Sequence, residues 1–237
     1  MAAEGSWTEP ADVARWLYRF GTVPRGPGFD RDFGPDDDPM AVLGMTVGGR
    51  PRRLLEAAYE PTSYQGWYAF VRLPARAQIR PVCKLYVSPK PQALATTFPR
   101  MVDVFVRSDV RSFKVGRGIE GLLRPDKIIA YFDDSAHLEH VARALGRSLR
   151  RYPAQGVPFT ADAGGDGLLS WGVDPPPGDT ATSWRSWVTA RLASSLTGQR
   201  TPQADPVGAA LADLRTAGVD PDRWLPSTDS SQNLIAT

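Results

Sequence analysis

Lysine is scarce in this chain: of 28 basic residues only Lys84, Lys90, Lys114 and Lys127 are lysines, and all the others are arginines. Arginine keeps its proton in any protein setting, whereas a lysine desolvated among other cations becomes a base near neutral pH. Composition alone leaves two readings open, a basic chemistry confined to one region or four ordinary surface residues. Histidine is scarcer still. His137 and His140 are the only two, three apart on one predicted helix. That makes a Ser-His-Asp triad improbable, and two ligands do not complete a metal site, so they read as a solvated helix face. The single cysteine, Cys83, excludes a disulfide or a cysteine-rich metal centre and reads as a buried thiol. No apolar run reaches the length of a membrane span, and the start MAAEGSWTEP lacks the basic and apolar regions of a signal peptide. The expectation is a cytoplasmic protein with no membrane partner. A net charge of +2 is too small for bulk nucleic-acid binding, though local arginine clusters suit a phosphorylated ligand. The phosphate-loop, dinucleotide, HExxH and GxSxG signatures are missing. GPDDDP (34–39) lacks the ligand spacing of a calcium loop, and GGDG (164–167) is no more than a turn.

What remains is lysine, tyrosine and arginine in a soluble globular composition, 42% hydrophobic and 23% charged over 237 residues. The most informative stretch runs from Pro81 to Asp133. Three segments there, Val82–Ser88, Ser112–Gly116 and Lys127–Phe132, carry the branched and aromatic residues of strands. Alternation puts Cys83, Leu85, Val87, Phe113 and Val115 on one side of their strands, and Lys84, Tyr86 and Lys114 on the other. If the strands pair, Lys84, Tyr86, Lys114 and Tyr131 share one face of one sheet.

Around this centre the periodicity predicts helices over Glu9–Phe20, Arg50–Glu60, Pro91–Arg107 (interrupted or kinked at Pro99), Ser135–Tyr152 with Ser135 as cap, Asp179–Gly198 and Pro206–Ala217. Strands are expected at Ala41–Val47, Gly66–Leu73 and Leu168–Asp174, and a polar tail closes the chain. Arg185 and Arg191 fall six residues apart on one helix, about 120° around its axis.

The order Lys84-Leu85-Tyr86-Val87-Ser88, then Phe113-Lys114-Val115, then the strand ending near Tyr131 resembles that of phosphothreonine lyases such as the effectors OspF and SpvC. The RPDKIIAYF, VPFT and GLLSWGVDPP stretches are closer to the HopA effector family and its actinobacterial relatives in thioamitide and class V lanthipeptide pathways. The likeness covers roughly Trp67 to Leu196. It implies an α+β fold with a mainly antiparallel sheet, helices on one face and the site on the other. Residues 1–60 would form an N-terminal extension packed on the core, 61–200 a lyase-like domain, and 201–237 a C-terminal helix and tail.

The implied reaction is β-elimination of phosphate from phosphothreonine or phosphoserine in a precursor peptide. Lys114 matches the general base and Lys84 a second site lysine. Tyr86 stands where the effectors have an acid histidine, which leaves protonation of the leaving group open. Arg124, Arg185 and Arg191, with Tyr131, are the implied phosphate-binding set. No cofactor is implied. A separate kinase would supply the phosphate. Two alternatives are a catalytically weak phosphopeptide- or leader-binding subunit and a cyclase component of the same kind of complex.

Overall fold

In the computed structural model the described residues are 9–26, 39–74, 81–179, 181, 183–198 and 205–227. Residues 34–38 of the acidic loop, the stretch 75–80 and the tail beyond Ser227 lie outside them. The chain forms two units that interleave in sequence, one of residues 21–157 and 162–171 and a smaller one of residues 1–20, 158–161 and 172–237.

The larger unit holds most of a seven-stranded sheet: β1 (Tyr59–Tyr64), β2 (Trp67–Arg72), β3 (Cys83–Val87), β4 (Ser112–Gly116), β5 (Ile128–Phe132), β6 (Ala161–Asp162) and β7 (Leu169–Val173), in the order β1-β2-β4-β5-β3-β7-β6, with Ala161, Gly172 and Val173 counted to the smaller unit. The pairs β1–β2, β2–β4, β4–β5 and β5–β3 are antiparallel, in agreement with the expected fold class.

One face of the sheet is the core. Leu85, Phe113, Val115, Ala130 and Phe132 are buried there, as alternation requires. Phe113 stacks on Phe70 with ring centroids 4.7 Å apart and meets Tyr59 and Phe105 edge-on at 5.3 and 5.0 Å. Aromatic pairs of this kind contribute ~0.5–1.5 kcal/mol each beyond the area they bury. The helices of this unit are α2 (Pro39–Val42), α3 (Arg50–Ala58), α4 (Leu94–Arg107), α5 (Gly118–Leu123) and α6 (Ser135–Ser148). The apolar stripe of α6 lies against β3 and β5, and α4 packs between α3 and α6.

Several expectations need correction. Ala41–Val47 is not a strand: α2 ends at Val42 and turns follow, with Gly44 at a φ of +70°, where an extended strand cannot continue. Arg50–Glu60 stops as a helix at Ala58, because Tyr59 turns into β1, whose Pro61 is tolerated on the edge of the sheet. Pro99 does not interrupt α4. The cap of α6 is Asp134, whose carboxylate accepts from the His137 N–H at 2.6 Å. His137 itself is not simply solvated, since its Nε2 lies 2.6 Å from the Ser108 carbonyl and its ring meets Phe132 edge-on.

A buried cation ties the larger unit together. Lys127 is 0% exposed and donates from Nζ to the Pro89 carbonyl at 3.0 Å and to Gln155 Oε1 at 2.8 Å. Gln155 Nε2 in turn donates to the carbonyls of Gly21 and Leu123. Burial pushes the Lys127 amine down to about 7, against the pull of the Asp126 carboxylate. The folded protein thus binds this proton more weakly than the unfolded chain. Stability then rises with pH from about 7 toward the ordinary lysine value of 10.5. Thermal melts should show this climb in the wild type and a smaller one in Lys127→Met. An equal climb in both proteins would show that Lys127 is not a titrating group.

The smaller unit is helical. Its α1 (Pro10–Arg19) packs on α7 (Trp184–Gly198), which also carries α8 (Pro206–Thr216), and a short hairpin pairs β8 (Val219–Asp220) with β9 (Leu225–Pro226). Trp184 stacks on Trp187 and donates from Nε1 to the Trp224 carbonyl at 2.8 Å. Among the described residues no helix is long and apolar enough to cross a membrane.

Candidate active site

Strand register places the candidate residues. Across the sheet, Val71, Ser112, Tyr131 and Lys84 are successive partners, and so are Ala69, Lys114, Ile129 and Tyr86. Directly paired residues point to the same side. Lys84, Tyr86, Lys114 and Tyr131 therefore share the face opposite the core. Their strands have closed three-stranded pairing around β5, so all four side chains rise from a rigid platform.

This face has an aromatic and aliphatic floor. Trp67, Tyr86, Ile129 and Val157 form a buried cluster with Tyr131 packed against it. The cations sit on this floor. Lys114 Nζ is 4.2 Å from the centroid of Trp67 and 5.7 Å from that of Tyr131, and Lys84 Nζ is 5.7 Å from the same Tyr131 ring. The guanidinium of Arg124 lies 4.7 Å from the Trp67 centroid. Ring faces attract cations, which holds all three groups without neutralising them. Lys84 is only 7% exposed and Lys114 is half-buried.

Arg124 is set by a separate device. After β4 the chain doubles back through α5, and the backbones of Gly116 and Gly121 approach so closely that a Cβ on Gly116 would lie 2.3 Å from the Gly121 carbonyl oxygen. Only glycine fits on either side of this contact. The fold-back brings Arg124 over Trp67, where Asp126 accepts from its Nε and Nη2 at 2.8 Å each. Asp126 is itself 2% exposed, so this two-point pair fixes the plane of the guanidinium.

The electrostatics set Lys114 apart. Its amine is lowered from 10.5 to about 8, first by burial and next by the positive charge of Lys84, with Asp126 pulling the other way and Arg124 adding a smaller push downward. An amine of this basicity is partly neutral at physiological pH and can accept a proton. Lys84 and Arg124, the latter paired with Asp126, are the cations beside it.

Of the other expected residues, Tyr86 is on the same face of the sheet. Tyr86 is 2% exposed and packs among Trp67, Ile129 and Val157. Arg185 and Arg191 belong to the smaller unit. Arg185, at 1% exposure, donates from Nε to the Pro158 carbonyl and from Nη2 to the Tyr18 carbonyl, with its guanidinium over the Tyr18 ring. Arg191 lies over the Trp187 ring at 4.4 Å and 3.8 Å from Asp179. Lys90 is exposed. Sequence reasoning missed Trp67 and Asp126. Trp67 was visible only as one more aromatic in a strand, and Asp126 only as a loop acid two residues from Arg124.

No family model matches the chain, and no curated protein matches it. Among solved structures, the effector protein from Pseudomonas syringae pv. tomato strain DC3000 aligns with a TM-score of 0.62 at 14% identity, over 95% of this chain and 92% of that one. The effector protein from Pseudomonas syringae pv. syringae strain 61 aligns at 0.55 and 13%, over 93% and 91%. The phosphothreonine lyase SpvC from Salmonella aligns at 0.44 and 11%, over 71% of this chain and 91% of that chain. At such identities the two effector alignments establish a common fold.

Proposed function

We propose that this protein is a phosphothreonine/phosphoserine lyase that acts on a phosphorylated precursor peptide. The observation that carries the reading is Lys114: an amine of lowered basicity, on a rigid sheet face, flanked by two further cations. The neutral Lys114 Nζ takes the α-proton of the phosphorylated residue. The electron pair left on Cα forms the Cα=Cβ double bond, and the Cβ–O bond breaks with its electrons going to phosphate. Dehydrobutyrine or dehydroalanine and inorganic phosphate result, and Lys114 returns its proton to solvent. No oxidant, reductant or water is consumed.

The two remaining cations have the charge this step needs. As the α-proton leaves, negative charge builds on the peptide carbonyl and on the departing phosphate, where preorganised positive groups in a poorly hydrated site act strongly. Lys84 and Arg124 fill that role. Neutralisation by these cations favours the departure of a phosphate whose second pKa is near 6, and Tyr86, buried on the same face, is the candidate proton donor beside them. Arg185 and Arg191 are secondary candidates for the phosphate, because Lys84 and Arg124 are the cations whose charge acts on the Lys114 amine.

The substrate we assign is a ribosomal precursor peptide, in a pathway of the lanthipeptide or thioamitide kind, phosphorylated by a separate kinase. Support for this comes from the order of the Lys84, Lys114 and Tyr131 segments and from the RPDKIIAYF and GLLSWGVDPP stretches. The test is mass spectrometry of a leader-bearing phosphothreonine or phosphoserine peptide incubated with the protein. Loss of phosphoric acid supports the assignment. A peptide that binds but keeps its phosphate, with the kinase also present, overturns it in favour of a binding subunit.

A further inference from the structure

The face that carries the lysines continues into a groove of about 540 Å³, lined by Tyr64, Val71, Leu73 and Pro81 and floored by Ser112 and Tyr131. Tyr64, Val71 and Leu73 are 47%, 37% and 45% exposed, three of the large apolar side chains this protein leaves in contact with water. Large exposed apolar side chains gathered in one concavity mark a place where something binds. Arg72, Asp109 and Arg111 line it as well and are already paired, Arg72 with Asp109 at 3.1 Å and Arg111 with Asp133. What the groove offers a ligand is therefore apolar area rather than a cation for a second anion.

We propose that this groove is a specificity subsite for an apolar side chain of the substrate peptide, two residues away from the phosphorylated Ser or Thr. The proposal rests on the elimination reading of the Lys84–Lys114 site. Two observations join groove and site. Tyr131 belongs to both: it lines the groove, and both lysine amines lie 5.7 Å from its ring. The spacing also matches. Ser112 is two residues from Lys114 along β4, a distance of about 6.8 Å in a strand, and an extended peptide repeats its side chains on one side at that same interval. A peptide with its phosphorylated residue over Lys114 thus lays a side chain two positions on over Ser112 and Val71. The peptide direction decides whether this side chain precedes or follows the modified residue.

The test uses phosphothreonine peptides with Leu, Ala or Lys at the second position before or after the modified residue. Affinity is read by fluorescence anisotropy and elimination by phosphate release, so that binding is scored independently of turnover. At one of the two positions Leu should bind about ten- to a hundredfold more tightly than Ala, the range expected for burying one such side chain. Leu73→Asp should erase that preference and make Lys the favoured residue. Val71→Asp, on the strand itself, gives the same reversal if Leu73→Asp does not fold. Equal affinity for Leu and Ala at both positions overturns the proposal. If the Leu preference and its reversal hold while no peptide loses phosphate, the groove is established as a peptide subsite and the elimination reading is the part that fails.

Discussion

Replacing Lys114 by Ala should lower phosphate elimination by about 10²–10⁴-fold, the usual contribution of a positioned general base, while leaving phosphopeptide affinity within about tenfold. Binding survives because Lys84 and Arg124 remain to hold the phosphate, and the floor of Trp67, Tyr86 and Ile129 does not depend on the Lys114 amine. Lys114→Arg should be almost as inactive despite keeping the charge, since a guanidinium does not give up its proton. The pH dependence provides the sharper test. A base works when it is neutral, so kcat/KM of the wild type should rise with pH, tenfold per unit, and level off above about 8. Mass spectrometry of the peptide product at each pH reads this directly. A rate independent of pH between about 6 and 9 would remove Lys114 from the proton-transfer step. An Arg variant as active as the wild type would do the same.

How much of this was legible in the sequence depends on range. The faces of β3, β4 and β5 follow from alternation alone, and they put Lys84, Tyr86, Lys114 and Tyr131 together as the register does. The rarity of lysine points to the region of the cation cluster but does not separate roles. Lys114 lies in the cation cluster, whereas Lys127 is a buried anchor and Lys90 is exposed. Those differences come from what covers each residue, which is set by distant segments such as Gln155 and Gly21. The edge strand β1 was hidden by its Pro61 and by the helical run before it. Helix α5 is short and contains Gly118 and Gly121, so no helical period marks it, although the contact of Gly116 with Gly121 is what carries Arg124 over Trp67. Arg185 looked available on a helix surface and is enclosed by Tyr18 and Pro158, contacts no local pattern reveals.

Trp67→Ala should displace the whole pH profile. The indole acts on Lys114 in two opposed ways. Its ring face attracts the ammonium and so favours the charged form, while its bulk keeps water away and so favours the neutral one. Burial is the largest cause of the lowered Lys114 basicity, and the indole, 4.2 Å from the amine, is part of what buries it, so we expect the second effect to win. Without the indole, water reaches the amine and its pKa rises from about 8, though the charges of Lys84 and Arg124 still hold it below the ordinary 10.5. With the rising limb moved up by about one unit, the rate at pH 7 falls about tenfold, yet it recovers toward the wild-type level near pH 10. Arg124 also loses the surface it lies on, which should appear separately as a raised KM. Trp67→Phe keeps the shielding and should move the limb less than Trp67→Ala does. A purely structural role for Trp67 predicts a different curve. Misplacing the amine would lower the rate by the same factor at every pH and leave the limb near 8. The shift of the limb, more than the loss of activity, is therefore what identifies Trp67 as the residue that makes Lys114 a base.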